Sequence, residues 1–448
     1  MFSQRFAIRG TVLVAIGLSA VARPAFGQLQ FESEPINYET APVHDRVARL
    51  QRQLDEGRVA LRYDADHGYL PAVLEKLGVP VTSQMLVFSK TSFQLRRISP
   101  ERPRAVYFSD DVYIGWVQEG EVVEVASVDP EQGTIFYSLS QQKSPHPRFV
   151  RDRGQCLTCH ASSRTLGVPG LLIRSVFPDR RGHPMLGTRT YSTDYRSPLS
   201  QRWGGWYVSG THGKQRHMGN VISTNRRRPE QIDVEAGANI TRLSKLVNVS
   251  PYLSPHSDIV ALMVLEDQSR VQDLIIRAGF EARIAVAYDE MMNKAFKRPA
   301  SHRTDSTDRR IKSVSERLLE GLLFVDEYKL QAPIRGTSGF AKEFSARGLR
   351  DSQGRSLRMF DLSRRLMKYP CSYLIYSASF DNLPAVIKDR VYSRLLEVLT
   401  GKDRSKKFSH LTTADRSAIL EILRETKHDL PADWNVTSRT SRRTTTDR

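Results

Sequence analysis

Cysteine stands at only three positions in 448 residues, and two of them fall in Cys156-Leu157-Thr158-Cys159-His160. That pentapeptide constrains the chain more than any other part of it. Three cysteines cannot build a disulfide scaffold, so an apolar core must hold the fold. Two thiols three residues apart lie on one face of a single helical turn, with the imidazole next in line. A disulfide between positions so close is sterically poor. A structural zinc site needs a second ligand pair, and no second CxxC and no close His pair beside a cysteine occurs. A thioredoxin-type dithiol needs the start of a βαβ unit, which the flanking pattern does not supply. Covalent haem attachment fits best: each thiol adds to one vinyl group of the same porphyrin, and the histidine turns onto the iron. The pentapeptide occurs once, which argues against a multihaem wire and against two-haem peroxidases.

The composition provides the core. Hydrophobic residues make up 40% of the chain and charged residues 26%, values of a globular protein rather than a disordered or multi-span one. The net charge is +18, from 67 Lys and Arg against 49 Asp and Glu.

Residues 1–27 have the form of an export signal. Arg5 and Arg9 precede an uncharged apolar run over 10–22, too short to span a bilayer, and Ala25-Phe26-Gly27 offers small residues for cleavage. No cysteine lies near that point, which argues against a lipid anchor, and no later stretch is apolar enough to span. A periplasmic or otherwise exported setting follows, where c-type haem is attached.

The remainder divides into an N-terminal α/β region (28–150), a haem-binding region (151–225), a long-helix region (250–330), a C-terminal helical region (331–436) and a disordered basic tail (437–448). Spacing predicts helices over 45–56 and 69–77 and a β-meander of strands over 104–109, 112–118, 122–128 and 134–139. Further strands are expected over 171–177, 185–193 and 203–209, with a hairpin-type turn at 178–182. Helices are predicted over 258–294, 313–328, 384–399 and 413–425, with a polar loop over 299–310.

The sixth iron position decides what a c-type haem does: methionine there favours electron transfer, and an open position allows catalysis or ligand binding. The glycine-rich stretch 210–220 presents Met218 and His217 as sixth-ligand candidates, with Met185, Met263 and His256 in reserve. Tyr191, Trp203 and Trp206 could pack on a porphyrin. Arg151, Arg153, Arg164 and Arg174 could pair with its propionates, since guanidinium matches carboxylate. Cys371, among apolar neighbours, reads as a buried inert thiol. Arg226-Arg227-Arg228 and the tail lack aromatic interleaving and any nucleic-acid signature, so they suit an acidic redox partner or an anionic envelope surface rather than nucleic acid.

The CLTCH motif, the GGWYVSGTHG and RHMGN stretches and YPCSYLIYS together resemble a group of exported bacterial proteins with a single CxxCH, usually labelled only as cytochrome c domain-containing. The resemblance spans roughly residues 30–435. It implies covalent haem at Cys156 and Cys159 with His160 as axial ligand, and no assigned substrate. The small all-helical cytochrome c fold is a poor match, because long N-terminal sequence precedes the motif and strands surround it. A looser likeness is to haem-carrying PAS-like sensor modules, in which CxxCH precedes a hairpin of the kind read over 172–187. The expected fold is therefore α+β: a β-rich N-terminal half bearing one covalent haem c, then a mainly helical half. The expected function is single-electron transfer; the alternatives are a haem enzyme acting on peroxide or a small oxyanion, and a haem-based ligand sensor.

Overall fold

The computed structural model describes residues 31–435, so the expected export signal and basic tail lie outside the described residues. The N-terminal half is built on a seven-stranded antiparallel sheet. Its strands are β1 (Met85–Val87), β2 (Arg104–Phe108), β3 (Val112–Trp116), β4 (Val122–Asp129), β5 (Gly133–Ser140) and β6 (Phe149–Arg151). A two-stranded sheet pairs β7 (Arg174–Ser175) with β8 (Tyr191–Ser192), and β9 (Trp206–Tyr207) returns to the main sheet beside β1. The order is β6-β5-β4-β3-β2-β1-β9, so the expected meander forms the body of the sheet. The turn between β4 and β5 is set by Asp129, whose Oδ1 accepts from Glu131 N (2.9 Å) and Gln132 N (2.8 Å), and by Gly133 at φ +73°.

Both faces of this sheet are covered, which explains why β3 is buried along its whole length. One face packs Leu86, Tyr107, Ile114, Val123 and Leu139 against two N-terminal helices. These are α1 (Arg46–Asp55), presenting Val47 and Leu50, and α2 (Leu70–Lys76), presenting Val73 and Leu74. The other face packs Val87, Val106, Phe108 and Val128 against the helical half. After the short CxxCH helix α3 (Leu157–His160), that half comprises α4 (Ile259–Ala295), α5 (Asp305–Leu322), α6 (Phe340–Ala346), α7 (Ala378–Asp381), α8 (Ala385–Leu399) and α9 (Thr413–Thr426).

The 37-residue α4 is the axis of the molecule. It is buried nearly all round over its first half, so its polar residues need internal partners. Glu266 pairs with Arg202 (2.9 Å) and accepts from Thr193 Oγ1. Gln268 bonds Ser109 O (2.8 Å) and the hydroxyls of Tyr113 and Tyr373. Glu281 holds Arg310 (2.7 Å), and Asp289 accepts from Thr304. Burial pushes Glu266 up to about 7, against the pull of Arg202.

Several expected boundaries shift. The strands read over 171–177, 185–193 and 203–209 shrink to two residues each: Gly187 and Gly204-Gly205 interrupt the second and third, and the first is bounded by Pro169 and by Pro178, where Asp179 closes a turn onto Arg181 N and His183 N. Within the hairpin read over 172–187 the only bridge among the described residues is Pro178–Pro184, and Arg174-Ser175 pair further along, with Tyr191-Ser192. The loop expected over 299–310 is shorter, because Thr304 caps α5 and Asp305 and Asp308 occupy its first turn. The helix expected over 313–328 ends at Leu322, before Phe324 and Asp326 take positive φ.

Asp258 starts α4 and also locks it to the segment before α6. Its Oδ1 caps Val260 N (2.8 Å) and Ala261 N (3.3 Å), while Oδ2 accepts from Thr337 N (2.7 Å) and Ser338 N (2.8 Å). Asp258→Ala removes the cap and leaves buried amides unpaired, so a loss of about 2–4 kcal/mol is expected in urea unfolding. Asp258→Asn, which can still cap, should lose clearly less.

Candidate haem site

The CxxCH motif is launched from the edge of the sheet. Asp152, just after β6, donates its amide to Phe136 O (2.8 Å). Its Oδ2 then accepts from Gly154 N (3.1 Å) and Cys156 N (2.9 Å), which turns the chain into α3. His160 N reaches Cys156 O at 2.9 Å, so Cys156, Cys159 and His160 share the expected single helical turn. All three cysteines are free thiols: Cys156 half-buried, Cys159 exposed, Cys371 fully buried. Cys156, Cys159 and His160 do not converge into a cluster able to hold a bare metal ion, and none of three or more His, Cys, Asp or Glu occurs among the described residues.

The imidazole of His160 is fixed in orientation and tautomer. Its Nδ1 lies 2.9 Å from Gly170 O, and a carbonyl can only accept, so the proton sits on Nδ1. Nε2 carries the lone pair and makes no hydrogen bond to the described residues. Burial lowers the His160 pKa, against the opposing Gly170 bond, which keeps the ring neutral. The ring packs on Phe136 of β5, with centroids 4.9 Å apart. A neutral imidazole with Nδ1–H tied to a main-chain carbonyl and Nε2 open is the form that ligates iron.

Gly170 holds His160 twice, since its own amide donates to His160 O (2.8 Å). The far side of the same peptide is held as well: Leu171 N donates to Asp273 Oδ1 of α4 (2.9 Å). A Cβ at position 170 would overlap that carboxylate, so glycine is required by space. Asp273 is buried, and burial holds its carboxyl well above the usual carboxylate range. Sequence reasoning missed Gly170 and Asp273. Asp273 closes the largely polar run 266–273 of α4, so nothing in the sequence sets it apart from its neighbours.

Beside the motif, Arg104 of β2 and Glu124 of β4 form an ion pair (2.5 Å). Gly115 of β3 lies beneath the Arg104 guanidinium, where any side chain would collide with it. Burial, reinforced by Asp152 and Glu124, pushes the Cys156 thiol up to about 12.

The other candidates fall elsewhere. Met218 is buried, its sulfur 3.6 Å from Ser175 Oγ. His217 is buried against Trp203 and His212, its Nδ1 accepts from Gly219 N (3.0 Å), and burial pushes it down to about 3. No hydrogen bond or ring contact joins either residue to Cys156, Cys159 or His160. Trp203 is fully buried, while Trp206 donates to Arg174 O (2.8 Å). Tyr191 packs beside Phe177, ring centroids 6.5 Å apart. Among the reserves, Met185 is half-buried, Met263 lies in the core on α4, and His256 has a buried Nδ1 without a partner. Arg151 is committed to Tyr38 O and Ala41 O. Arg153 and Arg164 are exposed, and Arg174 is half-buried with an unpartnered Nε. Burial pushes Cys371 up to about 12, as an inert core thiol requires.

No protein-family model, curated protein or solved structure matches the chain.

Two outcomes follow from this geometry. In the haem-free protein at pH 8, iodoacetamide should label Cys159 first, Cys156 far more slowly and Cys371 only after unfolding; peptide mass spectrometry reads the order. Gly170→Ala should force Asp273 and the His160 loop apart, lowering stability by about 1–3 kcal/mol in thermal or urea unfolding. A Gly170→Ala protein as stable as the parent would mean that this joint carries no strain-sensitive packing.

Proposed function

We propose that the chain is an exported monohaem c-type cytochrome that transfers single electrons in the periplasm. The observation that carries this reading is His160. Its Nδ1 is tied to Gly170 O and its Nε2 is left open, one turn from two free thiols. The residues fit the group: Cys156 and Cys159 would hold the porphyrin edge and His160 the iron. When bound, haem supplies a one-electron Fe(III)/Fe(II) couple.

The chain's own part is positioning. The Gly170 carbonyl fixes the imidazole plane and raises the basicity of Nε2. Phe136 packs against that ring. Cys159 is exposed, so a thioether formed there would lie at the surface, where electrons could enter or leave. The excess of positive charge suits an acidic redox partner. No helix among the described residues is long and apolar enough to cross a membrane. Met218 or His217 would supply the sixth ligand of a carrier.

A second reading, an open-site haem enzyme or ligand sensor, is favoured by one observation. Met218 and His217 each have core contacts of their own, apart from the residues around His160. Optical spectra of the protein matured with haem-attachment machinery separate the two. The carrier reading expects low-spin bands that carbon monoxide does not move. Met218→Ala or His217→Ala should then convert the spectrum to a carbon monoxide-sensitive, high-spin form. High-spin, carbon monoxide-sensitive bands in the parent protein would overturn the carrier and support the open site.

A further inference from the structure

Behind the His160 loop lies a cavity of about 140 Å³ between α4 and the β7–β8 region. Three guanidinium groups line it, from Arg164, Arg196 and Arg270, against two carboxyls, from Asp194 and Asp273. The charges are unevenly paired. Arg196 clamps Asp194 through Nε (3.1 Å) and Nη2 (2.6 Å). Arg270 reaches the same carboxylate only at 3.7 Å, beyond hydrogen-bond range, and its Nη groups bond nothing among the described residues. Arg164 has no side-chain hydrogen bond and no ion pair to the described residues. Asp273 has one oxygen taken by Leu171 N. The lining therefore presents several free N–H donors, with guanidinium groups outnumbering carboxyls. The space is well below the ~300 Å³ of sites for larger cofactors and substrates.

We propose that this cavity binds one small oxyanion, of the sulfate, phosphate or nitrite kind, held by Arg164 and Arg270. Planar guanidinium groups match pairs of anion oxygens in geometry as well as charge. A halide would leave most of those donors unused. Arg196, already neutralised by Asp194, completes the basic wall. The site stands apart from the sixth-ligand question, and its test does not require haem.

The experiment is isothermal titration calorimetry on the full chain in low-salt, chloride-free buffer, with inorganic sulfate, phosphate and nitrite as separate probes. The expected result is saturable one-to-one binding by at least one probe. Arg270→Gln and Arg164→Gln should each weaken it at least tenfold. Arg226→Gln, which removes a charge from an exposed surface run outside the cavity, should leave it unchanged. Arg164 is exposed and bonds no neighbour, so its variant keeps the fold even where Arg270→Gln disturbs α4 packing. Absence of saturable binding by all three anions overturns the proposal. So does equal affinity in the parent and in Arg164→Gln, which would place the anion elsewhere.

Discussion

The peptide unit joining Gly170 to Leu171 takes a hydrogen bond at each end. Its carbonyl accepts from His160 Nδ1, and its amide donates to Asp273 on α4. Two segments far apart in the chain are thereby referred to one rigid plane. A single-turn helix such as α3 has little stability of its own, because one turn forms few internal bonds for the entropy it costs. Its order comes from its surroundings: Asp152 at the start, Phe136 beneath the imidazole, and this peptide behind it. The main-chain carbonyl sets which imidazole nitrogen carries the proton, and so sets the chemistry of the other.

The joint is only as firm as α4. That helix is long and largely enclosed, and it contacts the sheet, α5 and the C-terminal helices. Burying Glu266, Gln268 and Asp273 in it would be prohibitive without partners. Arg202, Tyr113, Tyr373 and the Leu171 amide are those partners, and they come from regions that share no local sequence. The same polar contacts that keep α4 buried therefore fix its register against the sheet and the motif loop.

Much of the scaffold was legible in the chain. The meander, the Asp129–Gly133 turn, the ends of α4 and the helical C-terminal half follow from caps, turn residues and apolar spacing, which act over a few residues. Long-range partners were not legible. Nothing in Trp206-Tyr207 states that it will pair with Val87 and Leu86, because backbone ladders carry no residue-specific mark. The motif itself was plain, as was its one-turn geometry. Gly170 was hidden, since its importance lies in the lack of room beside Asp273, a residue of another element. Met218 and His217 lie in a glycine-rich segment that packs beside β9: a Cβ at Gly219 would collide with Val208, and the Asn220 side chain bonds the Val208 main chain.

The central claim is that Cys156, Cys159 and His160 form a covalent haem site organised by the Gly170–Leu171 peptide. Intact mass of the protein, matured with haem-attachment machinery and then denatured, tests it most directly. The account predicts a chain heavier by one haem, with the added mass surviving denaturation and absent when both cysteines are changed to serine. A chain of unmodified mass, from cells that mature a known c-type cytochrome in parallel, would contradict it.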